Sequence, residues 1–244
     1  VEFDVITAAE RRDLEAEAGA AFRERWPEFI FHDPLMKAWM PRVDEYFGRY
    51  NIFLLHDGRV AAGGWGVPFR WDATAGDLPE GYRTAIVASG EDHERGATPN
   101  AFSCMGVVVA KAYDRHGLST RVLDALIARA NRDGLARVVA PIRPTWKHRY
   151  PQVAMAEYAT WTRADGLSID PWIRTHQRMG ATILRSAPQS MVIPGTVGEW
   201  EGWAEMPFPV SGSYVVPDAL NLVEVDREND IAIYREENLW VQHR

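Results

Sequence analysis

Apolar and polar positions divide the chain into stretches of alternating and helical period. Phe3 to Thr7 reads as a short strand. Thr7-Ala8-Ala9-Glu10 follows with the capping-box pattern, which predicts a helix through Ala21. A second helix is expected over Pro34 to Tyr50. Ile52 to His56 and Val60 to Pro68, joined by Asp57-Gly58, read as a hairpin, because Asp-Gly between two apolar runs suits the positive φ angles of a tight reversal. Residues 72–100 are rich in Gly, Asp, Glu and Pro and read as a loop or lid with at most a short helix.

The strongest pattern follows. Ala101 to Ala110 is nearly continuous in small and apolar residues, as expected for a central strand buried on both faces. After a turn at Tyr113 to Gly117, Val122, Leu123, Leu126, Ile127 and Ala130 mark a helix over Ser119 to Arg132, with Gly134 at its C′ position. Ala136 to Pro141 then returns as a strand, so residues 101–141 form a strand, turn, helix and strand. Beyond it the spacing predicts helices over Pro151 to Gly166, Asp170 to Met179 and Val197 to Ala204. Strands are expected at Ala181 to Arg185 and Ser190 to Pro194, with β-rich structure from Tyr214 onward.

Composition narrows the classes. The 244 residues are 46% hydrophobic and 25% charged, ordinary for a globular domain. No window approaches the roughly 18 uninterrupted apolar residues of a membrane span, and a cytoplasmic protein is expected. Cys104 is the single cysteine, which excludes an internal disulfide and a thiolate metal cluster. The seven histidines show no HxH, HxxxH or HExxH spacing, so no metal is expected. A net charge of −7 argues against broad nucleic-acid binding, although Arg143, Lys147, His148 and Arg149 make a local basic patch. Most of the ten tryptophans are expected in core and lid packing.

The chemistry concentrates at the turn into the 119–132 helix. Amides at a helix start are unpaired and carry the positive end of the helix dipole, so a small-residue turn there can cradle a phosphate. Gly117 allows close approach, and Ser119 and Thr120 can cap the helix or donate hydroxyls. Asp114-Arg115-His116-Gly117-Leu118-Ser119 resembles motif A of the Gcn5-related N-acetyltransferase (GNAT) superfamily, where Arg-x-x-Gly-x-Gly or Ala binds the coenzyme A pyrophosphate. Gly117 matches and Ser119 is a small replacement, whereas Asp114 stands where the family has arginine or glutamine. The segment around 141–151, with Tyr158, Trp161 and the 170–172 turn, also resembles a group of actinobacterial acetyltransferase-like proteins.

That resemblance implies an α/β (α+β) fold with a mostly antiparallel central sheet, splayed fourth and fifth strands and helices on both faces. One domain is expected, with its core over about 1–195 and a β-rich extension over about 196–244. It implies acetyl-CoA or another acyl-CoA as co-substrate, held by Arg115, His116, Gly117, Leu118, Ser119 and Thr120 at the pyrophosphate. Backbone groups of Val107, Val108 and Val109 would meet the pantetheine arm. The acceptor, a small-molecule amine, would enter at the splay among Arg143, Lys147, His148, Tyr158 and Trp172. His176 stands four residues before Gly180, where the family carries the tyrosine that protonates the departing thiolate; an imidazole of pKa about 6.5 suits such work. Thr145 is a candidate hydroxyl partner, and Glu157, with His148 and Asp170, a candidate base. The His-x-x-x-Gly-Ala stretch is also similar to loading domains of polyketide synthases, which opens decarboxylation of a malonyl thioester as an alternative. An aminoacyl-tRNA or carrier-protein thioester is the alternative donor, with the basic patch on its phosphates. A monomer or homodimer is expected.

Overall fold

The computed structural model describes residues 2–243. Strands β1 (Asp4–Thr7), β2 (Asn51–His56), β3 (Arg59–Phe69) and β4 (Ala101–Val109) form an antiparallel ladder in that order. The reversal between β2 and β3 is the Asp57-Gly58 turn, with φ of 50° and 76° as a tight hairpin requires. Helix α4 (Leu118–Arg132) then crosses over to β5 (Arg137–Ile142), which runs parallel to β4. α4 forms because Val122, Leu123, Leu126 and Ala130 fall on one face, and all four are buried.

The parallel pairing is short. Ala101 to Ser103 lie beside Arg137 to Val139, and no pair follows, although β4 runs to Val109 and β5 to Ile142. In β4 the register against β3 slips so that Met105 is an extra residue between Cys104 and Gly106. Such a bulge bends the strand where it leaves its neighbour. β5 is instead bound on its other edge by β9 (Ile231–His243), with Val138 to Ile142 against His243 to Leu239.

β9 organises the second half of the sheet. It pairs with β6 (Thr182–Gly195) and, at its beginning, with β8 (Val223–Asp226), which carries β7 (Gly212–Tyr214). β5 joins β9 from Leu239 and β8 leaves it at Tyr234, so residues 235–238 have neither strand as partner. The tail therefore reaches the middle of the sheet.

Helices cover both faces. α1 (Glu15–Arg23) and α4 are separated by adjacent glycines of β3, because successive strand residues face opposite ways. A Cβ on Gly63 would come within 2.6 Å of Phe22 in α1, and one on Gly64 within 2.5 Å of Val122 in α4. α2 (Pro34–Phe47) packs on α3 (Tyr82–Glu94). The main core joins α3, α4 and strands β2 to β5, and a second aromatic core gathers Phe29, Trp200, Phe208 and Tyr234 beneath α7 (Val197–Ala204).

Four local expectations are corrected. The 72–100 stretch contains the 13-residue α3. The 151–166 stretch is helical only over α5 (Met155–Tyr158), after which Arg163 N donates to the Leu167 carbonyl around Asp165-Gly166, with Gly166 at φ +78°. Only half of the box at Thr7 forms: its amide and hydroxyl both donate to the Glu10 carboxylate, while the Glu10 amide bonds the Thr7 carbonyl, and α-helix begins only at Glu15. The two strands expected between 181 and 194 are the single β6, broken by register shifts at Ile183/Arg185 and Ala187/Met191.

Candidate active site

A cavity of about 690 Å³ fills the wedge between β4 and β5. Cys104 to Val108 of β4 line one wall, and Ala140 to Ile142 of β5 with Arg143 line the other. Phe22, Trp26 and Met40 roof it from the α1 and α2 side. α6 (Pro171–Arg178) contributes Trp172 and His176, spaced one turn apart on one face, and the stretch of β9 that pairs only with β6 contributes Glu236 and Asn238.

α6 is held by Asp170. This wholly buried carboxylate caps the helix by accepting from Trp172 N at 2.8 Å and Ile173 N at 3.1 Å. It also accepts from Thr145 N, Trp146 N and the Tyr158 hydroxyl, so the loop after β5 and the helix carrying His176 share one anchor.

A charge pair lines the wall made by β5 and β9. Arg143 Nε donates to Glu236 Oε2 at 2.9 Å, with the glutamate side chain 1% exposed. Tyr234 donates its hydroxyl to Oε2 at 2.9 Å and Asn238 its amide to Oε1 at 3.0 Å. Arg143 also donates to the Asp218 carbonyl. Tyr82, the first residue of α3, borders the same space, and burial, reinforced by Glu236 and Asp33, raises its pKa, so the phenol remains a hydrogen-bond donor.

His176 is 1% exposed, and its Nδ1 lies 2.9 Å from Nε2 of His243. Burial, with a smaller contribution from His243, lowers its pKa from 6.5 to about 3. The ring is therefore neutral at physiological pH, and any proton it gives comes from a neutral N–H rather than an imidazolium.

The turn into α4 is made of backbone. Arg115 and Gly117 hold φ of +68° and +69°, and the 15-residue α4 starts at Leu118 with no side chain capping it. Its first amides have no side-chain partner, the arrangement that receives phosphate oxygens. Asp114 does not leave this turn negative: both carboxylate oxygens are bound by Arg25 at 2.7 and 3.3 Å. His116 turns its Nδ1 inward onto the carbonyls of Tyr113 and Asp114.

Among the residues singled out by sequence, Val107, Val108, Arg143, Trp172 and His176 come together around the cavity. Arg115, His116, Gly117, Ser119 and Thr120 sit at the helix start, while Leu118 is core. Val109, Thr145, Glu157, Lys147, His148 and Tyr158 are not in the cavity wall. Thr145 and Glu157 are exposed. Lys147 is buried with its ammonium on the carbonyls of Tyr150 and Leu220, His148 bonds the Thr145 carbonyl, and Tyr158 is buried against Asp170. These three serve the folding of the loop after β5. Cys104 reaches the cavity wall, but burial pushes its thiol up to about 12, far from a ready thiolate. Sequence reasoning missed Tyr82, Glu236, Asn238 and His243, which carry no local motif.

No group of three or more potential metal ligands occurs among the described residues, and no helix is long and apolar enough to cross a membrane.

Comparison with known proteins agrees with this architecture. The Acetyltransferase (GNAT) family profile matches residues 12–150. Arginine N-acetyltransferase avaD of Aspergillus versicolor is 34% identical over 247 residues, covering 89% of this chain and 84% of that protein. The loading GNATL domain of CurA from Lyngbya majuscula superposes with a TM-score of 0.59 at 16% identity, covering 100% of this chain and 98% of that one. The GphF GNAT-like decarboxylase in complex with isobutyryl-CoA gives 0.56 at 17%, with the same coverage; at these identities the two structures share the fold. A sheet that splays beside an open helix start, a family profile spanning both, and an extended relative together place this acyltransferase in the GNAT acetyltransferase family.

Proposed function

We propose that the chain moves an acyl group from an acyl-CoA directly to an amine of a small molecule, and that the amine enters on the Glu236 side of the cavity. The observation that carries this reading is a single cavity bordered by Val107 and Val108 of the diverging strand on one side and by His176, Glu236 and Asn238 on the other. The donor's pyrophosphate would lie on the amides beginning α4, near Arg115 to Thr120, and its pantetheine arm along residues 107–109 of β4, whose β5-side edge is unpaired. Glu236 is the carboxylate that can attract the ammonium and take its proton, and the Tyr82 hydroxyl offers a donor to the developing oxyanion. His176 Nε2 would protonate the departing sulfur.

Free L-arginine is the first acceptor to test, because the 34% identical relative is named for it. Thiol release from acetyl-CoA should depend on the amine, with an acetylated amino acid seen by mass spectrometry. Acetyl-CoA turnover that no amine accelerates would overturn this reading. The alternatives have weaker support in the fold: Thr145 lies outside the cavity as a partner for decarboxylation, and the buried Lys147 has no free ammonium for tRNA phosphates.

A further inference from the structure

His176 shares its buried site with a second imidazole. His243, from the end of β9, faces it with ring centroids 5.0 Å apart, and the two residues are 1% and 3% exposed. Nδ1 of His176 and Nε2 of His243 lie 2.9 Å apart. The two outer nitrogens, Nε2 of His176 and Nδ1 of His243, are buried and have no hydrogen-bond partner among the described residues. Trp172 fixes the His176 ring edge-on at 4.5 Å, and Asp124 of α4 is the carboxylate acting on His243. A pair of rings kept only for packing would carry these two orphaned nitrogens at a cost in stability with no return.

The contact links the two tautomers. Neutral imidazoles facing at this distance hold one proton between them, since two would collide and none would oppose two lone pairs. When that proton belongs to His243 Nε2, His176 is bare at Nδ1 and carries its hydrogen at Nε2, on the ring that borders the cavity. Shifting it to His176 Nδ1 reverses the arrangement.

We propose that His243 is the outer half of a two-imidazole proton relay, a positioning residue that resupplies His176 with the proton it gives to the departing sulfur. The inference rests on the role assigned to His176 above. In the step, the amine nitrogen bonds to the acyl carbon, the carbon–sulfur bond breaks, and its electron pair leaves on sulfur. The amine's proton goes to Glu236 or water. Sulfur takes the His176 Nε2 proton, the His243 Nε2 proton crosses to His176 Nδ1, and a water admitted by local opening protonates the otherwise buried His243 Nδ1; the same shifts then run in reverse, with His176 Nε2 reprotonated from the cavity, before the next turnover. Both rings stay neutral throughout, so a buried imidazole acts as an acid without becoming a buried cation.

His243→Gln and His243→Phe test the relay against simple orientation. The glutamine amide can still bond Nδ1 of His176, but it cannot pass a proton onward. With acetyl-CoA and L-arginine, both variants should lose about ten-fold or more in kcat, with KM changing by less than about two-fold. Thermal melting should show His243→Gln folded. Nitrogen-15 NMR of histidine-labelled wild type should show both rings neutral near neutral pH, with one proton shared between the facing nitrogens. A His243→Gln enzyme with wild-type kcat beside an impaired His243→Phe would reduce His243 to orientation and overturn the relay. A cationic ring, or two unprotonated facing nitrogens, would overturn it equally. A wild-type chain that acetylates no amine would instead sink the acyltransferase reading, and the NMR result would then decide the pair alone.

Discussion

The two ends of the cavity are built from different materials. The donor end is one continuous segment, residues 104–120, in which a bulged strand, a turn with two positive φ angles and an uncapped helix offer backbone groups to solvent. The acceptor end draws side chains from distant positions: Glu236 is buried and bonded to Arg143 and Asn238, and His176 is buried and bonded to His243 beside Trp172. A site made of backbone tolerates side-chain change. A site made of buried, mutually bonded charges makes its chemistry part of the folding energy, so mutations at the two ends should fail differently.

The largest effect is expected at the charge pair. Glu236→Ala leaves Arg143 without its anion and Tyr234 and Asn238 without their acceptor, so denaturant unfolding should report a loss of about 3–5 kcal/mol. Glu236→Gln keeps an acceptor for both neighbours and should cost less. Equal stability of the Ala variant and wild type would show that the acceptor end is not wired into the fold.

His176→Asn comes next and separates chemistry from stability. Loss of a proton donor should lower kcat about 100-fold or more while leaving the acetyl-CoA KM nearly unchanged. Acid unfolding gives a second readout. The folded ring has its pKa lowered from 6.5 to about 3, so below 6.5 the unfolded chain takes up a proton that the folded chain refuses. Stability therefore rises with pH across that window and is lost on acidification, and the Asn variant should show a shallower loss between those limits.

The same division explains what the sequence made legible. The crossover over residues 101–142 could be read because its signals are local: an apolar strand, a turn glycine and a helix of 3.6 period. Even the limit of that reading was informative, since burial on both faces holds from Ala101 to Met105 and fades from Gly106, where the strand borders the cavity. The acceptor end could not be read, because Arg143 meets Glu236 only through the pairing of β5 with β9, and His176 meets His243 through the pairing of β6, which follows α6, with the end of β9. α3 escaped notice for a different reason. It packs through Ala85, Ile86, Ser89 and Gly90, the last directly beneath Trp39, so its buried face holds one large apolar residue among small ones and carries a weak periodic signal. With it Tyr82 was missed. The overestimated helix at 151–166 shows the opposite error, in which apolar spacing outweighed an Asp165-Gly166 turn signal that tertiary structure obeys.

Gly117→Val probes the donor end with a smaller expected effect. Gly117 sits at φ +69°, and a branched residue there costs about 1–2 kcal/mol in backbone strain. The turn would relax and move the first amides of α4, raising the acetyl-CoA KM by about ten-fold with the arginine KM unchanged. Open space surrounds a Cβ at this position, so a steric clash would not confuse the result. An unchanged donor KM would place the pyrophosphate elsewhere.

The smallest effect is expected at Asp114, where the motif departs most from its family. Arg25 and Asp114 bind through two hydrogen bonds, but the side chains are 32% and 47% exposed, so the pair contributes at most about 1 kcal/mol. Asp114→Asn should therefore leave the melting temperature almost unmoved. Its effect should fall on the donor: removing the carboxylate releases Arg25 and adds one positive charge beside the uncapped helix start, so acetyl-CoA should bind up to about three-fold more tightly at low ionic strength. Interactions between exposed charges are screened over about 8 Å at physiological salt, so the gain should shrink as salt is added. Tighter binding that salt abolishes would show that Asp114 and Arg25 act as a neutralised pair tethering the turn to the segment after α1. Weaker binding would mean that Arg25 must be held in place by Asp114 to reach the phosphates, and the departure from the motif would then be a relocated arginine rather than a lost one.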